Sequence, residues 1–149
     1  MGASSSVSMM DDNIRFRDNI YISYADGDLY GETLHDELLN SGYHTLKADF
    51  SKECSIPVYQ TMVKQIVEQS INVFICVSET TVTSFRQAIE ISMAFESNKN
   101  IVYIFTDELF TPSNTPYLNG IVRNNIWLPA YDTTTIETSI ETLESYNIL

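Results

Sequence analysis

Two stretches of almost unbroken apolar residues restrict the fold of this chain more than any other feature. Residues 71–77 read Ile-Asn-Val-Phe-Ile-Cys-Val and residues 101–105 read Ile-Val-Tyr-Ile-Phe. Each is long enough for one strand but far shorter than the roughly 20 residues that cross a bilayer. Strands without alternating polar positions are typical of parallel sheets that are covered by helices on both faces. The two stretches therefore predict the centre of an α/β sheet.

The segments around these strands alternate between strand and helix signals. Further strands are predicted at residues 20–24, 43–48 and 126–128, and helices at residues 29–41, from Pro57, at 81–98 and from Asp132. Leu34 and Leu38 recur at helical spacing in the first helix, and Gly42 is suited to end it. We expect one domain over residues 19–149, a flavodoxin-like three-layer α/β fold with a five-stranded parallel sheet in the order 2-1-3-4-5.

A sheet of this kind binds ligands at the carboxyl ends of its strands, where the strand order reverses. In the order given above, that crevice lies between the first and third strands. The residues that leave these strands are 24–28 and 78–81. The sequence therefore predicts a ligand site lined by these two segments.

Charge and composition exclude several classes of function. The net charge is −12, with 20 acidic residues against 8 Lys and Arg, so a nucleic-acid backbone would be repelled over most of the surface. Cys54, Cys76 and the two histidines lack metal-ligand spacing, so we expect no metal site. Cys76 is expected to be a small buried apolar residue. No Gly-rich phosphate loop occurs.

The N-terminal arm, residues 1–18, carries a pattern for lipid attachment. Met-Gly-Ala-Ser-Ser-Ser fits N-myristoylation at Gly2. The same residues also fit a flexible Ser-rich terminus, and both interpretations stay open. One acyl chain holds a protein only weakly on a membrane, and no basic cluster supports it here. Because the arm also lacks the features of a secretory signal, we expect a cytoplasmic protein, with peripheral membrane binding if Gly2 is acylated.

Two segments resemble a known family, the TIR (Toll/interleukin-receptor) domains. Residues 21–24, Tyr-Ile-Ser-Tyr, followed by Asp26, resemble the first strand of these domains. Residues 78–90 resemble the exit of their third strand and the helix after it. Members that cleave NAD carry a glutamate on this helix, which Glu90 matches, and Ser84 matches the serine before it. The order of elements agrees along residues 19–149, down to Trp127.

The chain departs from the family pattern at three places. Some members have basic residues after the first strand, where this chain has Ala25 and Asp26. Several NAD-cleaving members have an aromatic residue four positions before the glutamate, where this chain has Arg86, with Phe85 one position away. Residues 49–55 differ from the Arg-Asp-x-x-Pro-Gly loop of receptor-type members, so the resemblance gives no support for recruiting receptor adaptors.

The resemblance implies an enzyme that cleaves the nicotinamide–ribose bond of NAD⁺. The products would be nicotinamide and ADP-ribose, a cyclic isomer or a base-exchanged nucleotide, with NAD⁺ as substrate and no other cofactor. Glu90 would be the catalytic carboxylate. The substrate-binding candidates are Tyr24, Ala25, Asp26, Phe50, Ser84, Phe85 and Arg86. The family also implies that a neighbouring subunit completes the site, in immune or cell-death signalling.

Two further interpretations remain. From spacing alone, Glu90 and Arg86 at i−4 also fit an ion pair on a helix surface. A helical wheel places Phe85, Ile89 and Ser92 on the core face, with Arg86 and Glu90 on its flank. The chain is also compatible with a non-catalytic module that associates with itself or with other TIR domains, in keeping with the departures at Ala25, Asp26 and Arg86.

Overall fold

The computed structural model of the protein describes residues 19–47, 54–110, 126–132, 136–146 and 148–149. Its five strands form one parallel sheet in the order β2-β1-β3-β4-β5. The strands are β1 (Ile20–Ser23), β2 (Thr45–Leu46), β3 (Asn72–Val77), β4 (Asn100–Phe105) and β5 (Ile126–Pro129). The flavodoxin-like fold and strand order predicted from the sequence are confirmed, and the order reverses between β1 and β3.

Five α-helices lie in the described parts of the chain. They are α1 (Leu29–Asn40), α2 (Ile56–Glu68), α3 (Glu79–Thr83), α4 (Phe85–Glu96) and α5 (Ile136–Ser145), with 3-10 turns at Glu108–Phe110 and Ala130–Asp132. The prediction of one helix over residues 81–98 is wrong. Ser84 has an extended backbone, and its Oγ accepts a hydrogen bond from the Gln87 amide at 3.1 Å, so a new helix begins there.

The sheet separates two apolar cores. Tyr21 of β1 lies in the core that α2 and α4 cover, whereas Ile20 and Ile22 lie in the core that α1 and α5 cover. This division follows from the pleat, which points successive side chains to opposite faces. Cys76 lies in the second core with no exposed surface, as predicted. Among the described residues, no helix combines the length and apolar character needed to cross a membrane.

The chain leaves β1 through a tight turn into α1. The Asp28 amide donates to the carbonyl of Ala25 at 3.0 Å, and Gly27 takes a φ of 88° that favours glycine. Asp28 then caps α1, since its Oδ1 accepts from the Tyr30 amide at 3.0 Å. This turn fixes the position of α1 relative to the end of β1.

The first turn of α1 packs directly against the end of β1. A Cβ atom built at Gly31 would lie 2.2 Å from Cγ and 2.4 Å from Cβ of Tyr24. Tyr24 itself is 1% exposed. The helix can therefore approach the strand only because residue 31 has no side chain.

Candidate functional site

The carboxyl group of Glu90 lies buried between α4, β1 and α2. Its side chain is 0% exposed. Oε1 accepts a hydrogen bond from Ser23 Oγ at 2.6 Å, and Oε2 accepts one from the hydroxyl of Tyr59. The hydroxyl group of Tyr21 is buried without a hydrogen-bond partner among the described residues, but it lies close enough to Glu90 to affect its pKa. One carboxyl group is therefore held by side chains from β1 and α2, at the place where the strand order reverses.

Burial changes the protonation of this cluster. Removal from water raises the pKa of Glu90 to about 7, although the hydroxyl groups of Ser23, Tyr59 and Tyr21 and the charge of Arg86 act to lower it. Burial and the nearby carboxylate raise the pKa of Tyr59 and of Tyr21, so both keep their protons and remain donors. Glu90 therefore exists in both protonation states near neutral pH.

A pocket with a cavity volume of about 60 Å³ lies beside this cluster. Its lining residues come from the start of α2 and the first turns of α4: Cys54, Ile56, Tyr59, Phe85, Arg86 and Ile89. The guanidinium carbon of Arg86 lies 5.1 Å from the centre of the Tyr59 ring, within cation–π distance. Tyr59 thus contacts the pocket and Arg86 with its ring and Glu90 with its hydroxyl group.

Three of the predicted site residues meet at this pocket. Phe85 and Arg86 line it, and Glu90 lies behind Tyr59. The helical-wheel expectation is right for Ile89, which lies in the core, but wrong for Glu90, which also faces the core, and for Phe85 and Ser92, which are exposed. Ser84 caps α4 through its Oγ. Whether any of these residues binds substrate remains a prediction.

The predicted residues at the exit of β1 lie elsewhere. Tyr24 belongs to the core under α1, on the opposite face of the sheet from Tyr21 and Glu90, and it is buried, as is Ala25. Asp26 is exposed in the turn before α1. The sheet therefore separates Tyr24 from Glu90. Phe50 and Gly2 lie outside the described residues.

Four residues around Glu90 were not among the predicted site residues: Tyr21, Ser23, Tyr59 and Gln87. Tyr59 had a usable signal, because it shares a helical stripe at i, i+4 and i+8 with Val63 and Val67, and all three are buried. Gln87 had none, since a lone glutamine at a helix start is unremarkable. Its buried Nε2 donates to the carbonyl of Cys76 at 2.8 Å and to that of Ser23 at 3.3 Å. Gln87 thus connects α4 to both strands of the reversal point.

Gln87→Met is expected to lower the free energy of unfolding by about 2 kcal/mol, since two hydrogen bonds of about 1 kcal/mol each are lost at nearly constant volume. Urea denaturation followed by circular dichroism measures this change. Gln65→Met, at an exposed position of α2, is the matched control and should change stability by less than about 0.5 kcal/mol. Equal effects at the two positions would contradict the role given to Gln87.

Comparison with known proteins supports the fold. No protein-family model matches the chain, and no curated protein matches it either. Among solved structures, the TIR domains of the activated Roq1 resistosome directly recognizing the pathogen effector XopQ are similar, with a TM-score of 0.61 and 13% identity, covering 88% of this chain and 99% of that one. The chain therefore has the fold of a TIR domain, as the sequence resemblance predicted. At this identity the similarity assigns no residue a role.

Proposed function

We propose that this protein cleaves the bond between nicotinamide and ribose in NAD⁺, with Glu90 as the catalytic carboxylate. The observation that carries the proposal is a buried carboxyl group, held by Ser23 and Tyr59, behind the wall of a pocket at the strand-order reversal. The TIR-type fold supports it. So does the match of Glu90 to the glutamate of NAD-cleaving members.

The chemistry needs one carboxylate and no general acid. The bond between C1′ of the ribose and the nicotinamide nitrogen breaks, and its electron pair leaves with nicotinamide, which becomes neutral. Positive charge develops on the ribose, where an ionised Glu90 stabilises it. This stabilisation is larger away from water. Water then adds its oxygen to C1′ and releases a proton, giving ADP-ribose; attack by another nucleophile would give a cyclic or base-exchanged product.

The pocket supplies part of a substrate site. Phe85 offers an aromatic surface for a base, and Arg86 a positive charge for a phosphate. At about 60 Å³ the pocket is smaller than the roughly 300 Å³ or more of most ligand sites. We propose that a neighbouring copy completes it. The similar TIR domains were solved in an activated resistosome, in keeping with assembly.

Nicotinamide release is expected to increase with pH through about pH 7. Glu90 must be ionised to stabilise the charge, and burial raises its pKa to about 7. The ionised fraction, and with it kcat/KM, should therefore rise about tenfold between pH 6 and pH 8 and level off above that. Initial rates measured from pH 5 to pH 9 check this. A rate that falls over the same interval would contradict an ionised Glu90 as the active form.

The direct test is nicotinamide release by the purified protein. NAD⁺ is incubated over a wide range of protein concentrations, with a crowding agent to favour assembly, and nicotinamide is separated by chromatography. If a neighbouring copy completes the site, the rate should rise more steeply than the protein concentration. No release at the highest concentration would overturn the proposed enzyme.

A second candidate function is a non-catalytic interaction module. Two of the large apolar side chains that line the pocket are exposed, namely Ile56 and Phe85, at 49% and 60%. Grouped exposed apolar side chains are typical of protein interfaces. This function predicts self-association, measured by sedimentation in the same samples, without any loss of NAD⁺.

A further inference from the structure

Tyr59 separates Glu90 from the pocket. Two hydroxyl groups donate hydrogen bonds to the Glu90 carboxyl group, those of Ser23 and Tyr59, and of these two residues only Tyr59 lines the pocket. Ser23 and Tyr21 belong to β1 and are 0% exposed. The path from the pocket to Glu90 therefore passes the Tyr59 side chain.

We propose that Tyr59 is a gate over Glu90 and that Arg86 holds this gate closed. In the closed state the Tyr59 hydroxyl occupies Oε2 of Glu90, while the guanidinium group of Arg86 lies over the ring. In the open state the Tyr59 side chain moves away from the carboxyl group, and Oε2 becomes accessible from the pocket. A ribose hydroxyl of NAD⁺ then takes the place of the Tyr59 hydroxyl, a step that rests on the proposed function.

The surroundings of Tyr59 suit a side chain that moves. Tyr59 lies in the first turn of α2, next to the exposed Ile56 and Val58. The N-cap of this helix, Ser55, makes no side-chain capping bond. A helix end that has few capping hydrogen bonds unfolds locally at a small cost in free energy. Tyr21 provides a contrast, because its hydroxyl group lies near the same carboxyl group but the residue belongs to a fully buried strand.

Arg86 is placed to control the gate. It lies four residues before Glu90 on α4, so the same helix carries the carboxylate and the cation that covers the tyrosine. A cation over an aromatic ring stabilises it by about 1 kcal/mol, which corresponds to a factor of about five in the closed-to-open equilibrium. Because substrate reaches Glu90 only in the open state, the apparent affinity for substrate falls in proportion to the fraction of the protein that is open. Arg86, at the position of the family's aromatic residue, would then set how much of the protein is open.

The test is the accessibility of Glu90 to a carbodiimide and an amine, which convert an accessible carboxyl group to an amide. Labelling at pH 6 is followed by fragment-ion mass spectrometry and compared with the exposed Glu96 of the same helix. In the unaltered protein, Glu90 should react far more slowly than Glu96. Arg86→Gln should increase labelling of Glu90 about fivefold with no change at Glu96, and Arg86→Lys, which retains a cation, should restore slow labelling.

Two tyrosine variants distinguish the gate from a non-specific increase in the accessibility of Glu90. Tyr59→Phe should increase Glu90 labelling several-fold, because the hydrogen bond that holds the ring over Oε2 is lost. Tyr21→Phe removes a hydroxyl group that lies near the same carboxyl group without hydrogen-bonding to it, and opens no path to the pocket, so labelling should stay slow. Equal labelling in the unaltered protein, Arg86→Gln and Tyr59→Phe would overturn the gate, as would equal increases in Tyr59→Phe and Tyr21→Phe.

The labelling needs no NAD⁺, so its outcome is independent of the proposed reaction. If the variants label as expected and none of them releases nicotinamide, the proposed function fails and the gate stands. If nicotinamide is released but labelling does not change, the gate fails and the reaction stands.

Discussion

Glu90→Gln is expected to reduce nicotinamide release from NAD⁺ by at least about 100-fold. The amide can still accept a hydrogen bond from Ser23, so the local packing is preserved, but the negative charge is gone. Since the proposed role of Glu90 is to stabilise positive charge on the ribose, neither packing nor hydrogen bonding can compensate. Chromatographic assay of nicotinamide at saturating NAD⁺ measures the loss. Glu96→Gln, an exposed position on the same helix, is the control and should leave the rate unchanged.

The same substitution should make the protein more stable at high pH. Burial raises the pKa of Glu90 from 4.5 to about 7, so the folded state holds this proton more tightly than the unfolded state. The cost of an ionised Glu90 is therefore absent below about pH 4.5 and complete above about pH 7, where it reaches roughly 3 kcal/mol. Thermal denaturation of both proteins should show a difference in Tm that is small at pH 5 and grows by pH 8, with Glu90→Gln the more stable.

These two measurements together separate a catalytic Glu90 from a structural one. Loss of activity with equal or greater stability means that the charge itself is needed. Loss of activity with lower stability at pH 8 would mean that the carboxylate holds the fold together, contrary to the proposal. A variant that remains fully active would remove Glu90 from the mechanism.

The sheet could be predicted from the sequence because a strand that is buried on both faces consists almost entirely of apolar residues. Residues 71–77 and 101–105 are almost all apolar, and β3 and β4 lie within one residue of these limits. The order of the strands followed from the alternation of strand and helix signals and from the family resemblance. The short β2, Thr45–Leu46, was predicted too long, because two residues make too weak a pattern to define their own ends.

The surroundings of Glu90 could be predicted only in part. The resemblance indicated Glu90 itself, but the helical wheel placed it on the flank because the apolar Phe85 was taken to mark the core face, whereas Phe85 is 60% exposed. The break at Ser84 starts a new helix, in which Gln87, Glu90, Ile91 and Ala94 face the core. Tyr59 lies 31 residues away from Glu90. A contact between distant polar side chains leaves no periodic signal in either segment.

Gly31→Ala is expected to lower the free energy of unfolding by about 3 kcal/mol or more, with a fall in Tm of roughly 10 °C. Helix propensity alone predicts the opposite, because alanine stabilises a helix interior by about 1 kcal/mol relative to glycine. The steric overlap with Tyr24 outweighs this gain in helix propensity, so the net effect of Gly31→Ala is destabilising. A Cβ at residue 31 would lie 2.4 Å from Cβ of Tyr24 as well as 2.2 Å from its Cγ. Since Cβ does not move with the rotamer, only a shift of the backbone relieves the overlap.

Gly42→Ala is the control for Gly31→Ala, because it replaces a glycine without creating a steric overlap. Gly42 takes a φ of 93°, but a Cβ there meets no atom within 4 Å, so the substitution should cost only the backbone conformation, about 1 kcal/mol. Urea denaturation of both variants should therefore rank Gly31→Ala as clearly the more damaging. Tyr24 follows Ser23 directly, so the backbone shift forced by Gly31→Ala also displaces the hydroxyl group that binds Glu90. Slower nicotinamide release by the folded fraction of the Gly31→Ala protein would link this packing to the site. An unchanged stability of Gly31→Ala would contradict the close approach of α1 and β1.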